Sequence, residues 1–219
     1  MNFNILKKNV SVSVLNYIPP NSIIGVGSGT TISYFIKSIN KYKKNIIGAI
    51  SSSYNTTILL KKYNVTVIDL NTINEPIIYI DSADEVNSDM QMIKGKGGAL
   101  TNEKIISFKA KTFICIVDES KLVKKLGSFC PVPIEVIPIS YSYICEEIRK
   151  IGGNPIYREG FVTDHGNIII DIYGLNLEFP QRIENIINSL PGVVSVGLFS
   201  IRTADMVMIG TMNGIKIIK

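Results

Sequence analysis

The chain has 219 residues, enough for one large domain or two small ones, and 46% hydrophobic against 19% charged residues support a packed core and exclude a disordered chain. The net charge is +5, but the lysines are scattered and no arginine-rich stripe or RNA-binding motif appears, so a basic pocket for a small phosphorylated metabolite is expected rather than a nucleic-acid surface. No apolar run approaches the roughly 20 residues of a bilayer span, the opening MNFNILKKNVSVSVLNYI lacks a secretory h-region, and the 3 cysteines form no CxxC pair, so a cytoplasmic chain with no membrane partner is expected.

The opening segment reads two ways. Leu6, Val10 and Val14 fit one helix face, whereas Val10, Val12 and Val14 alternate like a strand; helix is the reading preferred. Ile23–Val26 is a short apolar strand, and Thr31–Lys43 is helical with Ile32, Phe35, Ile36 and Ile39 on one face. A strand over Ile46–Ile50, a helix over Tyr54–Lys62 and a strand over Val65–Ile68 follow. Strands Ile77–Ile80 and Thr112–Val117, with a helix over Asn102–Ala110 between them, complete an alternation that argues for a mostly parallel sheet covered by helices.

After Lys125 the pattern changes, and Pro131 and Pro133 break the chain. Strand Ile134–Ile137, helix Ile139–Ile151, strands Pro155–Tyr157 and Asn167–Ile172, helix Pro180–Leu190 and strand Val193–Phe199 have the β-α-β-β-α-β order of a ferredoxin-like unit. Met206–Ile218 reads as a hairpin turned at Asn213-Gly214 that rejoins the first sheet. The expected fold is therefore α/β: a Rossmann-like, mostly parallel sheet domain over residues 1–129 and 203–219, with a smaller ferredoxin-like α+β lid domain inserted over residues 130–202.

Four polar segments follow apolar strands, beginning near Ser28, Ser51, Asp81 and Asp118. In a parallel sheet those strand ends share one edge, where ligands of open α/β sheets bind. Gly25-Val26-Gly27-Ser28-Gly29-Thr30-Thr31 has the composition of a phosphate cradle: glycines admit an anion to the backbone, and a helix start offers N–H groups. It is not the dinucleotide fingerprint, because Thr30 stands where the third glycine belongs, and no Gly-Lys-Ser/Thr makes it a P-loop. An ordinary βα turn would look similar. The stretch DSADEVNSDMQMIKGKGGALTNEK, Asp81 to Lys104, carries most information. It sets Asp81 and Asp84 after a buried strand, Lys94 and Lys96 among glycines, and Glu103 near a helix start with Thr101 as the expected N-cap. Each piece has a plain alternative: a solvated loop, a flexible turn, an acid that merely favours a first turn. Asp118-Glu119-Ser120-Lys121 adds a cation at the same edge. With His165 as the only histidine, a metal site is not expected.

Together these residues identify a resemblance. The segments GVGSGTT, DSADEVN, MIKGKGGALTNEK, DESK, PVPIEVIP, GGNP, VTDHGN, PGVVSVGLF and RTADMVMIG resemble ribose-5-phosphate isomerases of type A over essentially the whole length. The resemblance implies a Rossmann-like domain with an α/β lid, an active site at their junction, and a homodimer or homotetramer. It implies an aldose-ketose isomerase of the non-oxidative pentose phosphate pathway that interconverts ribose 5-phosphate and ribulose 5-phosphate through an enediolate, with no cofactor. By the same resemblance Glu103 is the proton-shuttling base, Asp81 and Asp84 handle the sugar hydroxyls, and Lys94 faces the developing oxyanion. Ser28, Gly29, Thr30, Thr31, Asp81, Ser82, Ala83, Asp84, Lys94, Gly95, Lys96, Gly97 and Lys121 are then substrate-binding positions. Ser82 and Lys96 stand where the family usually has glycine, which is harmless at negative φ and costs about 1 kcal/mol or more at positive φ.

Two rival readings remain at this stage. A hexosamine-phosphate deaminase would want a ring-opening histidine, and only His165 is available. A sugar-phosphate-sensing regulatory domain would bind without turnover, and would be expected to carry a helix-turn-helix for which residues before Ile23 leave no room.

Overall fold

Alternation of buried apolar residues builds the central sheet of this computed structural model, which describes residues 3–42, 46–74 and 77–219. Its strands are β1 (Ser22–Val26), β2 (Ile46–Ser51), β3 (Ile78–Asp81), β6 (Thr112–Asp118), β12 (Met206–Thr211) and β13 (Gly214–Ile218). They lie in the order β13-β12-β6-β3-β1-β2, parallel except for the β12–β13 hairpin at one edge. Ile24, Val26, Ile80, Ile114 and Ile116 point to one face. Helices α1 (Phe3–Ser13), α2 (Thr30–Tyr42) and α3 (Tyr54–Lys62) cover that face through Val10, Ile32, Phe35, Ile36, Ile39 and Leu60. Tyr79 and Phe113 point to the other face, their ring centroids 4.9 Å apart. There Gly25 brings its strand against α4 (Leu100–Lys109): a Cβ on it would come within 2.7 Å of Ile106 and 2.8 Å of Tyr79.

The remaining strands form two antiparallel sheets. β7 (Val132–Val136), β8 (Asn154–Tyr157), β9 (Ile168–Tyr173) and β10 (Val193–Val196) take the order β10-β7-β9-β8, with α5 (Tyr141–Lys150) and α6 (Pro180–Asn188) between them in sequence. This is the ferredoxin-like unit the sequence pattern predicts. Its core holds Ile134, Val136, Ile144, Ile148, Ile170 and Ile187. The other sheet, β11-β5-β4, joins β4 (Glu85–Val86), β5 (Met92–Ile93) and β11 (Leu198–Phe199).

The chain divides into two compact units. The first comprises Met1–Ala83, Ile105–Lys121 and Ala204–Lys219; the second comprises Asp84–Lys104 and Leu122–Thr203. Residues 84–104 and 122–129, which the sequence pattern assigns to the larger domain, fall in the second unit. Two sets of bonds account for this. β5 pairs with β11, and the buried Glu85 carboxylate accepts from the N–H groups of Gly127 (2.7 Å), Phe129 (2.5 Å) and Cys130 (2.8 Å).

The opening segment is helical, the reading its pattern favours, with Leu6 and Val10 buried and Val12 exposed. Other local expectations change. The expected strand over Val65–Ile68 shrinks to a single parallel bridge between Ala49 and Val67. Pairing stops there because Asp69 caps a short 3-10 turn at Leu70–Thr72 that turns the chain away. The expected strand over Val193–Phe199 is cut at Gly197, whose N–H bonds Pro133 O (2.7 Å) in one sheet while its carbonyl accepts from Lys94 N (2.9 Å). A Cβ there would overlap the Lys94 carbonyl, so a glycine marks the change of sheet. In the final hairpin the turn residues are Met212-Asn213, with Gly214 (φ 118°) paired to Thr211. Lys43, the expected end of the second helix, lies outside the described residues.

Candidate active site

The first unit supplies two loops at the carboxyl edge of its parallel sheet. β1 is flanked by β2 and β3, so the chain leaves β1 in one direction and β3 in the other, the switch point at which such sheets bind ligands. The loop after β1 carries Gly27, Ser28 and Gly29 (φ 97°) into α2, where Thr30 and Thr31 open the helix. Its first-turn N–H groups have no acceptor within the helix and present a positive dipole end. Asp81 closes β3 with 0% exposure. Its Oδ1 accepts from Ser28 N (3.0 Å) and Ser82 N (2.7 Å), and its Oδ2 accepts from the Tyr79 hydroxyl. Ser82 Oγ donates back to Ser28 O at 3.3 Å. The carboxylate thus ties the β1 and β3 loops together. Gly27 makes this possible, because any Cβ on it would occupy the space of the Asp81 carboxylate. Ala83 is buried beyond Ser82.

Two cations belong to the same unit. Lys7 on α1 donates to Thr30 Oγ1 at 3.1 Å. The sequence pattern does not single it out, since it is one lysine of a pair on an amphipathic helix, and only the packing of α1 beside α2 brings it to the loop. Lys121 ends the 3-10 turn that follows β6. The acid before that turn, Asp118, is consumed locally by Ser120 N (3.0 Å) and Ser120 Oγ (2.5 Å).

The second unit holds the remaining candidates. Lys94 and Glu103 form a buried ion pair, Nζ to Oε2 3.2 Å, with residue exposures of 2% and 3%. The glycines between them shape the approach. Gly95 (φ 105°) packs against Pro133 and Leu100, and Gly98 (φ 77°) sits where a Cβ would overlap the Phe161 ring. Helix α4 begins at Leu100, so Thr101 is inside its first turn and does not cap it. The Thr101 hydroxyl donates instead to Glu135 Oε2. Asp84 accepts from Lys96 N at 3.0 Å. Arg158 Nη1 donates to the carbonyls of Gly95 (3.3 Å) and Lys96 (3.0 Å), and the same guanidinium pairs with Asp171. Gly97 has open space around it. Tyr79 and Arg158, like Lys7, have no local sequence signal: one is an ordinary strand aromatic, the other lies far along the chain.

Ser82 and Lys96 bear no backbone strain. Among the described residues only Asn21, Asn64 and Met90 have positive φ without being glycine. The Lys96 side chain is exposed and lines a cavity of about 410 Å³ with Asp84, Cys130, Arg158 and Asp171. Among the described residues no group of three or more His, Cys, Asp or Glu side chains is placed to hold a metal ion, and no helix is long and apolar enough to cross a membrane.

Residues 48–214 match the family described as ribose 5-phosphate isomerase A (phosphoriboisomerase A). The chain belongs to the ribose 5-phosphate isomerase A family. A curated protein of Buchnera aphidicola subsp. Schizaphis graminum (strain Sg), named ribose-5-phosphate isomerase A, is 57% identical over 219 residues, covering 100% of both chains. The crystal structure of ribose 5 phosphate isomerase A from Neisseria gonorrhoeae superposes with a TM-score of 0.97 at 40% identity, over 99% of this chain and 97% of that one. A D-ribose-5-phosphate isomerase solved in complex with phospho-erythronic acid superposes with a TM-score of 0.96 at 36% identity, over 100% of both. Membership of this isomerase family fits a chain that buries Asp81, Lys94 and Glu103 beside glycine-containing loops.

Proposed function

We propose that this protein interconverts ribose 5-phosphate and ribulose 5-phosphate, as an isomerase of the non-oxidative pentose phosphate pathway. The observation that carries the reading is the buried Lys94–Glu103 pair: a carboxylate and an ammonium withdrawn from water, 3.2 Å apart, on a glycine-lined segment. The reaction needs one group to move a proton between adjacent carbons and one to stabilise the charge that appears on oxygen. Glu103 removes the C2 proton of the opened aldose, giving the enediolate, and returns it to C1. Lys94 stabilises the enediolate oxygen, a contribution that grows when water is excluded. Asp81 and Asp84 handle the sugar hydroxyls, assisting ring opening and the proton exchange between O1 and O2.

The phosphate end is assigned to the first unit. The Ser28–Thr31 loop offers main-chain N–H groups and hydroxyls, and Lys7 and Lys121 supply positive charge. Ser82, Ala83, Gly95, Lys96 and Gly97 complete the substrate-binding set. A relative is solved in complex with phospho-erythronic acid, a phosphorylated sugar acid whose planar carboxylate resembles the enediolate of the proposed reaction, and this supports the reaction assigned here. No redox cofactor is required, because the proton lost from one carbon is regained by its neighbour. The active protein is a cytoplasmic homodimer or homotetramer.

A coupled assay of ribose 5-phosphate conversion tests the reading. Turnover that survives a chelator is expected. Tight binding of the sugar phosphate without turnover would instead support a regulatory domain, and turnover lost on chelation would overturn the metal-free mechanism.

A further inference from the structure

Two buried carboxylates outside the proposed catalytic set grip the helix turn that carries Glu103. Glu135 on β7 is 1% exposed and accepts from Thr101 Oγ1 (2.5 Å), Thr163 Oγ1 (2.9 Å) and Asn167 Nδ2 (2.8 Å). Glu184 on α6 is 2% exposed and pairs through Oε1 with Lys104 Nζ at 2.5 Å. Its Oε2 accepts from Ser200 N (2.7 Å), Ser200 Oγ (2.7 Å) and Ile201 N (3.0 Å). Thr101 and Lys104 stand two residues before and one after Glu103. The adjacent Asn102 is held as well, its Oδ1 lying 3.0 Å from His165 Nε2.

Burying a charge is costly unless every lone pair finds a donor. A fold that needed only a packed core would place apolar residues at both positions. Here both acids are well partnered, and each gives one of its bonds to the same helical turn. The geometry gives the reason. Residues three apart lie on one side of a helix, so Thr101 and Lys104 share a face, while Glu103 projects from a different one. Anchoring one face at two points fixes the helix against rotation about its own axis. A rotation of about 10° would move an atom at the helix rim, ~5–6 Å from the axis, by about 1 Å. A displacement of about that size in a reacting group costs roughly 10²-fold in rate.

Glu184 also reaches the other half of the ion pair. Lys104 Nζ donates to Leu198 O at 2.6 Å, and the Phe199 ring lies 4.7 Å from Lys104 Nζ and 5.5 Å from Lys94 Nζ. β11, whose end Glu184 holds at Ser200 and Ile201, pairs with Ile93 and Met92 directly before Lys94. One carboxylate therefore bears on both Lys94 and Glu103.

We propose that Glu135 and Glu184 are positioning residues for the proton transfer: they set the rotation of α4 and the register of β11, and so the geometry of the Lys94–Glu103 pair. The proposal rests on the isomerase reading, and wild-type turnover of ribose 5-phosphate is measured first; its absence would sink that reading, whatever the variants do. With an active wild type, Glu184→Gln and Glu135→Gln are compared with Ile148→Val, a core change in α5 of the same unit that lowers stability without touching α4. Each Gln variant is expected to lower kcat about 10- to 100-fold with KM within about twofold, and to shift the pH profile of kcat. Ile148→Val should lower the melting temperature and leave kcat and its pH profile unchanged. Should a Gln variant fail to fold, Thr101→Val and Thr101→Ser replace it, with Ser expected to keep the activity that Val loses. Folded Gln variants with wild-type kcat and pH profile would overturn the proposal. So would a loss of activity matched by a loss of folded protein at unchanged pH profile, or equal activity in Thr101→Val and Thr101→Ser.

Discussion

The parallel-sheet unit and the antiparallel unit each bury a carboxylate in the proposed machinery, and they hold it differently. Asp81 is clasped by two main-chain N–H groups and a tyrosine hydroxyl, from loops it joins together. Glu103 faces the ammonium of Lys94, at the end of a side chain with four carbons of reach. Main-chain donors cannot withdraw without remodelling the loops, whereas an ammonium partner can follow a proton as charge moves. Sequence position alone ranks the two acids together. Within the proposed reaction the contrast adds a loop-shaping part to Asp81's handling of the sugar hydroxyls and leaves the carbon-to-carbon proton transfer to Glu103.

The sharpest way to break that contrast is a matched pair of amide substitutions. Glu103→Gln is expected to lower kcat by roughly 10²- to 10⁴-fold with binding of ribose 5-phosphate and melting temperature near wild type. Asp81→Asn should instead lower stability by about 1–3 kcal/mol, since an amide NH₂ would face donors in a buried site. Calorimetric binding and thermal unfolding of both variants give the answer, and an Asp81→Asn protein as stable as wild type would end the distinction. Next in size is Gly27→Ala. The added methyl must displace the Asp81 carboxylate, and a loss of about 1–3 kcal/mol with a raised KM is expected from urea unfolding and steady-state kinetics.

Lys7→Met probes the loop side alone. It should weaken inorganic phosphate as a competitive inhibitor about 10-fold, in line with one lost charge-assisted hydrogen bond, and leave stability nearly unchanged. The smallest effect belongs to the antiparallel unit. Burial lowers the pKa of Lys104 from its usual 10.5, with Glu184 pulling in the opposite direction. Between the lowered native value and 10.5 the unfolded chain holds more protons at this site than the native one. Stability from this group therefore rises with pH across that window, and the penalty for charging it is fully present below. Urea unfolding of wild type and Lys104→Met from neutral pH to 10.5 should show the difference moving in favour of wild type.

Much of the parallel sheet is legible in the sequence, because strands buried on both faces are written as unbroken apolar runs such as Ile77–Ile80 and Phe113–Val117. The ferredoxin-like unit is legible for the same reason, each element long enough to show its period. The β11-β5-β4 sheet is not. Two-residue strands have no period, and Glu85 and Ile93 give no hint that they pair. Val65–Ile68 misleads in the other direction: its apolar content is real, but a cap at Asp69 ends the pairing after one bridge. Among the proposed site residues, those from Ser28 to Thr31 and from Asp81 to Glu103 can be read from motifs in the sequence. Lys7, Tyr79 and Arg158 come from packing, and Glu135 and Glu184 from pairings across 34 and 80 residues respectively.

The hairpin at the sheet's edge has a consequence for how the chain is made. β6 is synthesised long before β12, its parallel neighbour, because residues 122–203 of the second unit intervene. A ribosome therefore releases most of the Rossmann-like half with one flank of β6 still bare, and an unpaired apolar flank recruits other chains. The inserted unit must finish folding quickly enough for the last segment to arrive and seal that flank, so a nascent chain stalled near Thr203 is the form of this protein most exposed to aggregation.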